Sequence, residues 1–268
     1  MNLQKILGQN YKWWYTVKYY FKLRTAYRVD NFFFALGNIF TLISTVLVWF
    51  YASGGVLNED FKLKMSYFVF GTVYFGLVNL WPSFFGYNIR DGKHTTFLLR
   101  PNNFLVSVFF MYLGIALFQM LVLMLIFVAL SPFWLSFVTS SIVWSNLIWL
   151  VLMIFPSVLI YFFLELIVGM SAFFVTEING IILNFDFLKS LLMGRLIPLS
   201  FFISSFSFGL LNPFGFMFFQ PMQILLGKYD LNQIIITLLS SVVWAIILIV
   251  VSNKMLKIGL KRNESVGL

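Results

Sequence analysis

Arg90, Asp91, Lys93, His94 and Arg100 fall within one short stretch, NIRDGKHTTFLLRPNNF at 88–104, between two apolar runs. Such a density of charge suits a wet turn or a handhold for a complementary polar surface. Two carboxylates, Glu165 and Glu177, stand instead inside long apolar stretches. A carboxylate in hydrocarbon costs about 3 kcal/mol, so it needs a partner, a cavity, the headgroups or a proton. Glu177 can line a substrate path or mark the end of a shorter span, whereas Glu165 reads as an interface residue in a turn. One histidine and no cysteine leave no thiolate or clustered metal site, and no Ser-His-Asp set can be assembled. No GxxxxGK[ST] loop is present either, so the chain is expected not to be an enzyme.

The elements that must position these residues are membrane helices. Hydrophobic residues make up 61% and charged residues 10%, with a mean hydropathy of +0.93, far from a soluble domain. Runs of about twenty apolar residues can each cross the bilayer as helices, which satisfy their own backbone. The expected fold is therefore an all-α polytopic membrane protein. Six spans are expected near 32–51, 66–86, 105–130, 139–158, 162–184 and 231–251, with a tight turn at Tyr161–Glu165, just after Pro156. No cleavable signal peptide is expected, because the first apolar run starts only near Asn31 and others follow it.

The net charge of +9 flanks the spans rather than forming a patch for nucleic acid. With the N-terminus inside, 13 Lys and Arg fall on the cytosolic side and five (Lys62, Lys64, Lys189, Arg195, Lys228) on the other. Both termini are then expected in the cytosol of a multi-pass cell-membrane protein.

Two segments do not read as spans. Residues 1–30 are expected to form a cytosolic amphipathic helix lying flat at the headgroups. Trp13, Trp14, Val17, Tyr20 and Phe21 share its apolar face; Lys12, Tyr15, Lys18, Tyr19 and Lys22 share the other. Residues 187–228 are apolar but broken by Pro198, Pro213 and Pro221 and by Gly194, Gly209, Gly215 and Gly227. They are expected to form short re-entrant helices on the extracellular side, as a lid or as a packed cap. Arg195 within them could cap the lid, pair with Glu177 or meet lipid phosphates.

In this order, the parts resemble the permease subunits of type-2 ATP-binding-cassette (ABC) exporters. The phrases that carry the resemblance are FLLRPNNF at 97–104, SAFFVTEINGII at 171–182, and GRLIPLSFF followed by LNPFGFMFFQPMQILLGK between Gly194 and Lys228. They look like a poorly characterised branch of that family, although Phe174 stands where the family usually has tryptophan. The resemblance implies a half-permease within a 31–268 membrane domain. It would pair with an identical or related permease and two separate ATPase subunits, and export a hydrophobic or amphipathic cargo such as a drug, peptide or lipid-like molecule. ATP and Mg would be bound by those partners. Residues 87–104 would be the coupling loop, with Arg90, Asp91, Lys93, His94, Arg100 and Pro101 against the ATPase. Glu165, Glu177, Arg195, Pro198 and Pro213 would belong to the path or gate. Trp13, Trp14, Lys18 and Lys22 would seat the interfacial helix among membrane lipids. An ion-coupled transporter, or a scaffold or immunity protein without transport, remains the alternative.

Overall fold

The computed structural model describes residues 3–99, 103–132, 141–201 and 205–266. Arg100 and Pro101 lie outside them. Among the described residues the secondary structure is helical throughout, with no strand. Five stretches, Arg28–Ala52, Glu59–Arg90, Phe104–Ala129, Trp144–Phe173 and Leu231–Arg262, are long and apolar enough to cross a bilayer. The protein is a multi-pass, all-helical membrane protein.

Helices α1 (Leu3–Ala26) and α2 (Arg28–Ala52) open the chain, and α3 (Glu59–Val78) follows. Asn58 caps α3, its side chain accepting from the Phe61 N–H at 2.8 Å. Trp81, with φ of 49°, then turns the chain into a 3₁₀ turn led by Pro82, and α4 (Phe85–Arg90) and α5 (Thr95–Leu98) build the next loop. Asn103 caps α6 (Phe104–Ala129) by accepting from Leu105 N–H at 3.0 Å. Helix α7 (Leu147–Met170) leads into a 3₁₀ turn at Ser171–Phe173 and into α8 (Asn179–Leu192). Short helices α9 (Phe206–Leu211) and α10 (Phe219–Leu225) precede the long α11 (Leu231–Val266).

The turn expected at Tyr161–Glu165 does not exist. Helix α7 runs through Pro156, Tyr161 and Glu165 without interruption. The reversal comes instead at 171–178, so the expected fifth span is divided between the second half of α7 and the first half of α8. The expectation rested on the apolar stretch 141–185 being about twice as long as one crossing needs, whereas α7 runs on to Met170 and gives Glu165 a buried partner. With 14 residues, α8 rises only about 21 Å. That falls short of a crossing.

Short helices do form between 187 and 228, and much of the segment is core. Met193, Phe216, Met217, Phe218, Met222, Ile224 and Leu225 are buried. A broken helix frees carbonyls that hydrocarbon cannot solvate, and side chains of neighbouring helices supply the donors. The Tyr67 hydroxyl donates to Gly194 O (2.8 Å), Trp244 Nε1 to Leu210 O (3.0 Å) and Asn146 Nδ2 to Ile224 O (2.7 Å). Ser157 donates to Phe216 O (2.7 Å) while accepting from the Tyr74 hydroxyl (2.8 Å), which joins α3, α7 and this segment.

Helix α1 departs from the expected flat placement. Trp13 stacks on Phe110, Phe21 meets Phe118 edge-on, and a Cβ on Gly114 would touch the Val17 carbonyl. Both helices advance four residues between successive contacts, so α1 lies parallel to α6 and along it. The apolar face is the one the periodicity gave; its partner is a protein helix. Trp14 remains exposed, and Lys18 and Lys22 edge a groove of about 740 Å³ beside Leu121 and Val128.

Candidate functional site

The loop at 85–99 has a buried base and a charged tip. Phe85 and Phe97 meet edge-on at 5.1 Å, and Phe104 closes on both. Gly86 and Gly169 let the loop sit directly on α7: a Cβ on Gly169 would lie 2.9 Å from the Ser83 carbonyl oxygen, and one on Gly86 2.7 Å from that of Gly169. Small residues at such crossings are how membrane helices gain close packing. The Tyr87 hydroxyl donates to Asn179 Oδ1 at 2.6 Å, tying the loop to the start of α8.

At the tip, Asp91 is shared by two bases, 3.3 Å from Arg90 and 3.2 Å from Lys93. Hydrogen bonds from Lys93 and then Arg90 hold its carboxyl below the usual carboxylate range. All three side chains are open to solvent.

His94 contradicts its expected role as a surface contact. It is 1% exposed, with its ring edge-on to Phe173 at 5.4 Å. Burial pushes its pKa below the ordinary value, and the Asn88 and Ile89 carbonyls pull the other way. The residue is a keystone of the loop base. Polarity suggested a contact, and only the fold shows which polar residue points inward.

The second charged group lies inside the bundle. Lys189 of α8, 3% exposed, pairs with fully buried Glu165 of α7 and, at 2.6 Å, with Asp186. Its ammonium also donates to the Tyr161 hydroxyl at 3.2 Å. Fully buried Ser83 faces the same Glu165 carboxylate from the loop base. This corrects the charge count made from sequence, because Lys189 is no loop residue. Its signal was the i,i+3 spacing of Asp186 and Lys189 in FDFLKS, together with an apolar segment carrying the opposite charge at Glu165.

The remaining candidates separate. Glu177 is exposed in the 171–178 turn, where its carboxylate accepts from the Asn179 N–H at 3.0 Å. That places it at the loop end of the bundle, in a turn and not within a span. The length of α8 separates it from Arg195, so the two do not pair. Pro198 is buried, and Pro213 starts a 3₁₀ turn that Asn212 caps by accepting from Phe214 N–H at 3.1 Å. Arg195 lies over the Phe75 ring at 4.7 Å.

Other basic residues gather at the loop end as well. Arg262 of α11 lies over Phe174 at 5.7 Å, and Gly259 is pressed against Phe173. Lys254, Lys257 and Lys261 belong to the same end of α11. At the opposite end, Lys62 and Lys64 are matched by Glu59 and Asp60 at 2.6 and 2.5 Å.

The chain is thus a polytopic helical bundle with a charged loop seated on α7 at its more basic end. The model of the ABC-2 family transporter protein matches residues 36–267, and the chain belongs to that family. It is thus a membrane permease of an ABC transporter, and membership implies association with ABC ATPase subunits. No curated protein and no solved structure matches the chain.

Proposed function

We propose that the chain is a half-permease of an ATP-driven exporter in the cell membrane. It pairs with a second permease, identical or related, and with two separate ATPase subunits that bind ATP and Mg. The chain itself catalyses nothing. Its cargo is hydrophobic or amphipathic, and it leaves past the 187–228 segment, which dips into the outer leaflet. The observation that carries this reading is the exposed Arg90–Asp91–Lys93 tip on a buried aromatic base. A tip on a soft turn would dissipate a push, whereas one seated on α7 through Gly86 and Gly169 passes it into the bundle. Positive-inside logic supports placing that end in the cytosol, since it also carries the basic end of α11.

Ion-coupled transport would need an available intramembrane carboxylate. Glu165 is already compensated by Lys189, and Glu177 is outside the bundle, so the residues favour external drive. The test is co-purification of the tagged chain with ATPase subunits from its native membrane. The expected result is stable association that Arg90→Glu with Lys93→Glu abolishes. Absence of any ATPase with the wild-type chain overturns the reading.

A further inference from the structure

A cavity of about 470 Å³ opens between α2, α3 and the C-terminal end of α8. That is within the range of small-molecule sites, roughly 300–1,000 Å³. Phe68 and Thr72 line it, which places it about 14–20 Å along α3 from Glu59. It therefore lies within the apolar depth of the bundle, not at its wet ends.

Among the described residues, the one charged group lining the cavity is Arg195. Among the described residues no carboxylate pairs with this guanidinium; Glu165 of α7 and Asp186 of α8 pair with Lys189 instead. Phe75 offers a cation–π contact at 4.7 Å, which leaves the N–H donors of the fork uncommitted. Thr41, Thr45 and Thr72 return their hydroxyl protons to carbonyls four residues back, at 2.8 Å each. Ser44 and Ser190 also line the space, and their hydroxyls have no protein partner among the described residues. Opposite them the wall is apolar, with Phe40, Trp49 and Phe68. A cation at this depth needs a counter-charge, and the described residues supply none. A guanidinium fork with two free hydroxyls beside an aromatic wall matches one chemistry: a carboxylate or phosphate attached to an apolar body.

We propose that this cavity binds the anionic head of an amphipathic molecule. Arg195 is the fork that holds the anion, Ser44 and Ser190 are the secondary donors, and the aromatic wall takes the adjoining chain. The inference rests on the permease reading for its meaning as a cargo site, and it narrows that cargo to acidic amphiphiles. The site itself is a property of this chain and can be measured without a partner.

The experiment uses the full-length chain in phosphatidylcholine nanodiscs, with dansylundecanoate and its uncharged methyl ester as fluorescent probes. The acid is expected to bind at least about tenfold more tightly than the ester, the worth of a charge-assisted hydrogen bond. Arg195→Gln should erase that preference while leaving ester binding unchanged. Arg195→Lys should keep part of it, having the charge without the fork. Equal binding of acid and ester by the wild-type chain overturns the proposal, and so does an unaltered preference in a folded Arg195→Gln chain. If Arg195→Gln fails to fold, the wild-type comparison and the lysine variant decide. Adding phosphatidylglycerol to the discs separates two sources of the same chemistry. Displacement of the probe assigns the site to a lipid headgroup, persistence assigns it to a free acid, and both retain the anion site. A chain that keeps its acid preference but never captures an ATPase would refute the permease reading alone.

Discussion

The tip of the 85–99 loop and the interior of the bundle hold mirror-image charge groups. At the tip one acid, Asp91, is shared by two bases; inside, one base, Lys189, is shared by two acids. The chemistry of the pairs is the same, and burial gives it opposite meaning. Solvent can replace any partner at the tip, so those pairs contribute little to folding and are free to exchange for contacts with another surface. Between α7 and α8 nothing can replace Lys189, so the pair constrains where the broken helix sits. Buried pairs are costly to break and not especially favourable to have.

The largest effect should come from breaking the buried group on one side. Lys189→Met leaves Glu165 uncompensated and is expected to cost about 3–5 kcal/mol, read as lost thermal stability in detergent. Glu165→Leu combined with Lys189→Met should recover most of it. A double variant as unstable as the single one would mean that the pair is not what couples α7 to α8.

Next is the seam that connects the two regions. Gly169→Val places a methyl-bearing carbon only 2.9 Å from the Ser83 carbonyl oxygen, and backbone cannot move aside as a side chain can. An overpacking cost of about 1–3 kcal/mol is expected, with protease sensitivity appearing in the loop as well as in α7. Cleavage confined to α7 would show that the loop is not seated on it.

Charge reversal at the tip sharpens the contrast from the other side. Arg90→Glu with Lys93→Glu should leave the melting temperature unchanged within error and remove ATPase capture. A loss of stability like that of Lys189→Met would erase the distinction drawn between the two groups.

The smallest effect belongs to His94. Its pKa in the folded loop lies below the unfolded value of 6.5, so below that pH the unfolded form binds more protons and the loop loses stability. Hydrogen exchange of the 85–99 amides should quicken as pH falls through that window, after correction for intrinsic rates. In His94→Gln the additional opening should vanish.

Much of the fold was legible because hydrocarbon is an unforgiving solvent. Apolar runs of sufficient length have to be helices, and the Pro- and Gly-rich 187–228 stretch could not be one helix. The face of α1 followed from its period. The break was misplaced because length divides a long apolar stretch near its middle, and composition does not say where the chain turns. Glu165 was read as an interface residue in that turn because nothing local shows that its partner lies 24 residues away on another helix. His94 was misread by the same logic, since five polar residues in one loop give no sign of which one turns inward onto Phe173. Glu177 moved from span to turn once the break moved.

The sequence alone determined that this chain lives in a bilayer, where its charges cluster, and that its 187–228 segment has to be broken. The tertiary structure decided which charges have partners, and so which are free to act. Solvation and local propensity are properties of a residue and its neighbours along the chain. Pairing requires two distant helices to meet, and only packing sets that.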